Sequence, residues 1–179
     1  MVPASFDQYF SAIPERLLPL FAGAKALWEP LDRLEQFVKE NVRPGNGVKP
    51  QGGHAASRGT VKGQIYMEGD VEIGEGTVIE HGAVIKGPTI IGKNCEIRAG
   101  AYVRGNVVIG DDCVIGHATE IVRSIMLAGA RVDHFNYVGD SILGNAVHLG
   151  AGAKTANLRF DERPIVVAGV STNRKKLGI

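Results

Sequence analysis

Residues 73–91 read Ile73-Gly-Glu-Gly-Thr-Val-Ile79-Glu-His-Gly-Ala-Val-Ile85-Lys-Gly-Pro-Thr-Ile-Ile91, with an isoleucine at every sixth place. The interval extends in both directions, through Val61 and Met67 before this stretch and Ile97, Val103, Ile109, Ile115, Ile121 and Leu127 after it. A fixed short period kept over so many repeats predicts a solenoid, whose units cannot bury a core alone and must stack.

The position four residues after each aliphatic is also restricted. It runs Ile65, Val71, Thr77, Ala83, Thr89, Cys95, Ala101, Val107, Cys113, Thr119 and Ile125, mostly small or medium side chains suited to a strand. Glycine follows the aliphatic directly at Gly74, Gly92, Gly110 and Gly116, or stands three after it at Gly76, Gly82 and Gly100, where positive φ at a corner is cheap. Each hexad is therefore one short strand and one corner. Three corners close a triangle, so a coil takes about 18 residues and pairs with its neighbours about 4.8 Å away. The twelve hexads from Val61 to Leu127 amount to four coils. Met67, Ile85, Val103 and Ile121 are expected in one interior ladder.

With 179 residues, the chain has room for one solenoid and one appendage. A formal net charge of +1 gives no electrostatic case for a nucleic-acid partner or an anionic membrane. No apolar stretch is long enough to span a bilayer and no leader pattern opens the chain, so a cytoplasmic location is expected. Cys95 and Cys113 fall on adjacent coils at the small inward position and read as reduced core filler.

Residues 1–45 follow a different grammar. Leu27, Trp28, Leu31, Leu34, Phe37, Val38 and Val42 recur at three and four, which is helical spacing, and Pro30 suits a first turn. Pro14 and Pro19 divide the stretch before it into one or two short helices. These helices are expected to cover an open end of the solenoid, with a subunit contact as the competing reading. Residues 46–57, rich in Gly and Pro, read as a linker, and 58–179 as the β-helix domain.

The six-residue phase fails after Leu127, where the next site is Asp133, and aliphatics resume at Val138, Leu143 and Leu149 with a five-residue step. Side chains that the interruption projects off the regular wall are candidates for chemistry. The interruption contains Asp133-His-Phe-Asn-Tyr-Val-Gly-Asp140, followed one coil later by Gly150-Ala-Gly-Ala-Lys-Thr-Ala-Asn-Leu158.

Together with the hexads, these two segments resemble the acetyltransferase half of the bifunctional glucosamine-1-phosphate acetyltransferase and N-acetylglucosamine-1-phosphate uridyltransferase enzymes, and related sugar-nucleotide pyrophosphorylases. The likeness covers about residues 60–179. It implies an all-β solenoid, a left-handed parallel β-helix, assembled as a homotrimer with sites between subunits. It also implies acetyl transfer from acetyl-CoA to an amino-sugar 1-phosphate, either glucosamine or galactosamine phosphate, with no metal. By the same resemblance His134 is the general base, since imidazole has an unperturbed pKa of about 6.5 suited to proton transfer near neutral pH. Asn157 would lie near the amine and the acetyl group. Tyr137, Arg98, Arg123 and His148 would bind substrate, and Ala151, Gly152 and Ala153 the coenzyme. N–H groups of this glycine-alanine corner could hold an oxyanion on the thioester carbonyl.

Departures from the family pattern accompany the likeness. Arg123 stands beside Val122, which occupies the usual lysine place; His148 replaces an asparagine and Leu158 a tyrosine. Arg104 is a weaker phosphate candidate than Arg98. Relatives continue past the segment like Arg174-Lys-Lys-Leu-Gly-Ile179 into further coils, so the β-helix is expected to be incomplete at its C-terminal end.

Nucleotidyl transfer would need a glycine-rich, arginine-containing loop on a Rossmann-like domain, and the residues before the solenoid contain neither. A zinc centre needs clustered histidines, but His81 and His117 are two coils apart, about 10 Å, too far to share one ion. The competing reading is a non-catalytic trimeric scaffold that keeps a sugar-phosphate pocket.

Overall fold

The computed structural model describes residues 9–43, 59–155 and 157–178. The expected linker, 46–57, lies outside these residues.

From residue 60 onward the chain winds as a three-sided parallel solenoid, its strands numbered in chain order. The first side holds β1 (Thr60–Val61), β4 (Val78–Ile79), β7 (Glu96–Ile97), β10 (Val114–His117), β13 (Arg131–His134) and β16 (His148–Leu149). The second holds β2 (Tyr66–Glu68), β5 (Val84–Lys86), β8 (Tyr102–Val103), β11 (Glu120–Val122) and β14 (Tyr137–Gly139). The third holds β3 (Val71–Ile73), β6 (Thr89–Ile91), β9 (Val107–Ile109), β12 (Ile125–Met126) and β15 (Ile142–Leu143). These make five coils, one more than the regular hexads alone implied, with β16 opening a sixth.

The expected interior ladder is present. Met67, Ile85, Val103 and Ile121 are all buried and pair strand to strand, joined inside by Ala83, Cys95, Ala101 and Cys113. Both cysteines are free thiols, and their sulfurs donate to the Gly110 and Leu127 carbonyls at 3.1 and 3.2 Å.

The phase changes one strand earlier than the hexad spacing alone implies. Ile91 pairs with Ile109, but Ile109 pairs with Met126 rather than Leu127. Met126 therefore completes the inner ladder, while Ile125 and Leu127 face outward. The cause is the corner between the second and third sides. In the first three coils it is a two-residue turn: Gly69-Asp70, Gly87-Pro88, Gly105-Asn106. In the next two coils a single residue turns it, Arg123 at φ 44° and then Asp140 at φ 50°. Each deletion shortens its coil by one residue and brings Ser124 and Ser141 into the small buried position.

The helices differ from expectation in place. Helix α1 (Leu18–Phe21) and helix α2 (Pro30–Asn41) lie on the flat third side instead of covering an end. Leu31, Leu34, Phe37 and Val38 pack there against Ile90, Val108, Ile125 and Leu127, the outward residues on and beside β6, β9 and β12. That side is thus apolar on both faces, so β6 and β9 are buried at every residue. Arg16 clamps the arrangement by gripping Glu72 on β3 with two bonds of 2.6 and 2.8 Å, and the Arg43 N–H adds a third at 3.0 Å.

Beyond Thr155 the chain leaves the parallel stack, contrary to the β-helix domain expected over 58–179. Val166–Val167 (β17) and Val170–Ser171 (β18) pair antiparallel, and Leu158 forms an antiparallel bridge with Lys176. The segment Arg159-Phe-Asp-Glu-Arg-Pro164 has no aliphatic in phase, and Pro164 lacks the N–H that a ladder needs.

Candidate active site

The corner between the first and second sides stacks its residues in columns. The Phe135 N–H donates to the His117 carbonyl and the Gly152 N–H to the His134 carbonyl, at 2.9 and 3.0 Å. His134 therefore stands one coil from Ala151. Its imidazole is exposed and has no hydrogen-bond partner among the described residues.

Asn136 joins the two coils. It occupies the small inward position and is 3% exposed. Its Oδ1 accepts from the His134 N–H at 3.0 Å, and its Nδ2 donates to the Gly150 and Ala153 carbonyls at 2.7 and 3.3 Å. A buried amide satisfied on both ends fixes the His134 backbone relative to the Gly150–Ala153 turn. In that turn Gly152 has φ +76°, and Ala151 and Gly152 are exposed. The Ala151 N–H has no acceptor among the described residues, as a donor to a developing oxyanion requires.

A second cluster centres on Asp140, which is 2% exposed. Arg123 grips it with Nε and Nη2 at 2.7 and 2.8 Å, the Asn157 Nδ2 donates to its Oδ2 at 2.8 Å, and Arg174 lies 3.7 Å away. The same Asn157 amide donates to the Tyr137 hydroxyl oxygen at 3.1 Å, leaving the hydroxyl hydrogen for another acceptor. Two expected site residues, Arg123 and Asn157, thus converge on one carboxylate, and a third, Tyr137, joins them through the Asn157 amide. Gly139 makes this contact possible: a Cβ there would sit 2.5 Å from the Tyr137 hydroxyl and 2.7 Å from the Asn157 amide. The hydrogen bonds to Asp140 also hold the Arg123 guanidinium above its ordinary pKa, so it stays charged.

Asp133, 7% exposed, gathers a third group. The His148 Nε2 lies 2.9 Å from it, Arg131 3.1 Å and Arg98 3.5 Å. Arg98 also contacts Glu96 at 2.8 Å, so its charge is shared between two carboxylates. Arg98 and His148 therefore meet each other through Asp133, apart from the Asp140 cluster. Arg104 pairs with Glu120 at 2.5 Å.

Three residues that the sequence reading did not single out hold the site: Asp133, Asn136 and Asp140. All are polar residues buried in the solenoid wall. The signal for Asn136 was available, since once the phase shift is placed at Arg123 it falls on an inward position where only a bonded polar group is tolerated. No group of three or more metal-ligating side chains occurs among the described residues. None of their helices is long and apolar enough to cross a membrane.

Residues 85–175 match the family model described as the GMPPB C-terminal domain. The chain belongs to this family. Its relatives include the bifunctional sugar-1-phosphate nucleotidylyltransferase/acetyltransferase of Sulfurisphaera tokodaii, 37% identical over 124 residues, covering 67% of this chain and 31% of that protein. The putative uncharacterized acetyltransferase YaiX of Escherichia coli strain K12 is 40% identical over 187 residues, covering 99% of this chain and 76% of YaiX. This chain thus spans under a third of the Sulfurisphaera protein but most of YaiX. Among solved structures, a mutant of perosamine N-acetyltransferase from Caulobacter crescentus, in complex with CoA and GDP-perosamine, superposes with a TM-score of 0.52 at 17% identity. The superposition covers 56% of this chain and 49% of that one, and supports the solenoid fold.

Proposed function

We propose that this chain transfers the acetyl group of acetyl-CoA to the amine of an amino-sugar 1-phosphate, working as a homotrimer whose neighbouring subunit completes each site. The observation that carries the reading is the Asn136 clamp, which holds an exposed imidazole one coil from a corner N–H, both without a partner among the described residues. His134 takes the proton from the amine as nitrogen attacks the thioester carbonyl; the C–N bond forms while the oxygen becomes an oxyanion against the Ala151 turn. Collapse breaks the C–S bond, and the imidazolium returns its proton to the departing thiolate. Tyr137, with its hydroxyl hydrogen free, donates to the sugar phosphate, and Asn157 orients it from the Asp140 anchor. The names of the Sulfurisphaera and E. coli relatives support the reaction class. Exposed Leu158 and Phe160 offer apolar surface to a second subunit.

The test is thiol release from acetyl-CoA with glucosamine 1-phosphate and galactosamine 1-phosphate, alongside sedimentation. Catalysis predicts release with at least one sugar and a mass near three times 19.0 kDa. A trimer that binds the sugar phosphate but releases no thiol would favour the scaffold reading. A monomer would remove the shared site.

A further inference from the structure

His117 has no role in that reaction, yet it is the side chain stacked on His134. Strands β10 and β13 pair the two residues Cα to Cα, one coil apart at about 4.8 Å, and both are exposed. The two imidazoles are held differently. The Nδ1 of His117 lies 2.9 Å from the Ala99 carbonyl. A carbonyl only accepts, so Nδ1 carries the hydrogen, and in the neutral ring Nε2 is the bare acceptor. Phe135, at φ 52°, stands edge-on to the ring, with centroids 5.1 Å apart at 82°. Backbone, carbonyl and aromatic contacts together fix the ring and its tautomer, whereas the His134 ring is free to follow a proton.

We propose that His117 is a substrate-binding residue of this site, whose Nε2 accepts a hydrogen bond from the hydroxyl next to the reacting amine. A vicinal amino alcohol presents its nitrogen and oxygen at hydrogen-bond spacing, and two rings one coil apart can straddle it. His134 then meets the amine while His117 holds the neighbouring oxygen. This rests on the acetyl-transfer reading and narrows the acceptor to amino sugars whose amine has a free hydroxyl neighbour. It also accounts for a solvent-facing imidazole kept in one tautomer, an arrangement that a merely surface histidine does not need.

The test is the imidazole nitrogen spectrum of the whole protein, titrated with glucosamine 1-phosphate and with its 3-deoxy analogue, together with binding of both sugars to His117→Asn. Asparagine keeps a donor for the Ala99 carbonyl but has no equivalent of Nε2. Glucosamine 1-phosphate should move the His117 Nε2 resonance, and the 3-deoxy sugar should move only His134. His117→Asn should weaken glucosamine 1-phosphate about 3- to 10-fold, the loss of one neutral hydrogen bond, while leaving the 3-deoxy sugar unchanged. Equal weakening of both sugars, or a response at His134 alone with glucosamine 1-phosphate, overturns the role of His117 and leaves the acetyl-transfer site standing. Silence at both histidines overturns the two together.

Discussion

The third side of the solenoid and the corner at His134 are built from the same repeat and put to opposite uses. On the third side, Ile90, Val108, Ile125 and Leu127 point outward, and the helices cover them. At the corner, the outward column holds His117, His134 and Ala151, and nothing in the described chain covers it. One short repeat therefore provides a rigid wall with two independently written surfaces, because only the inward positions are tied to the ladder. The outward positions are free to carry either a docking face or chemistry.

Four substitutions would break or sharpen this contrast, and their expected effects fall in order. Ile85, fully buried in the inner ladder, serves both regions. Ile85→Asp would bury an unpaired carboxylate and should cost several kcal/mol, enough to abolish cooperative thermal unfolding; an unchanged melting curve would refute the inward ladder. Leu34 is 1% exposed against the third side. Leu34→Ala should cost about 2–5 kcal/mol and expose residues 9–43 to protease before the solenoid. If the helices stay as resistant as in the parent protein, the covered face is wrongly placed.

Glu72 comes third. Burial pushes its carboxyl up, but the bonds from Arg16 and the Arg43 N–H outweigh that and hold it below the usual range. Because its folded pKa is lowered, its contribution is complete above the unfolded value of about 4.3 and is lost as pH falls through the lower folded value. Glu72→Gln should lower stability by about 1.5–3 kcal/mol at pH 7 and flatten the acid limb of the stability profile. An acid limb as steep as the parent's would mean that the clamp does not couple helices to coil. Smallest is Phe135→Ala at the open corner, where the side chain is 57% exposed. Stability should change by about 0.5 kcal/mol or less, and a loss as large as that of Leu34→Ala would show that the corner is structural.

The repeat itself was legible because its period is a property of sequence alone. The inner ladder from Val61 to Ile121 follows directly from the spacing. The slip was less legible, since it was visible as a break after Leu127 but arises earlier, where the second-to-third-side corner loses the glycine present at Gly69, Gly87 and Gly105. Reading that missing glycine would have moved Leu127 from the inner ladder to the helix-covered face and Met126 into the ladder. The helix position was also written in the sequence. Paired aliphatics at Ile90-Ile91, Val107-Val108-Ile109 and Ile125-Met126-Leu127 occur on one side of the triangle and mark a sheet covered on both faces. The Asp133 and Asp140 clusters were not legible. Their partners, Arg98 to Asp133 or Asn157 to Asp140, meet only once the coils are stacked in register.

The central claim is that the open corner works through the His134 imidazole, and the most direct measurement is the rate of acetyl-CoA-dependent thiol release by His134→Ala beside the parent protein, with the better of the two amino-sugar 1-phosphates. Loss of a general base should lower turnover by about 10² to 10⁴. Sugar affinity, assembly mass and melting temperature should stay near those of the parent. A variant that turns over as fast as the parent would contradict the account.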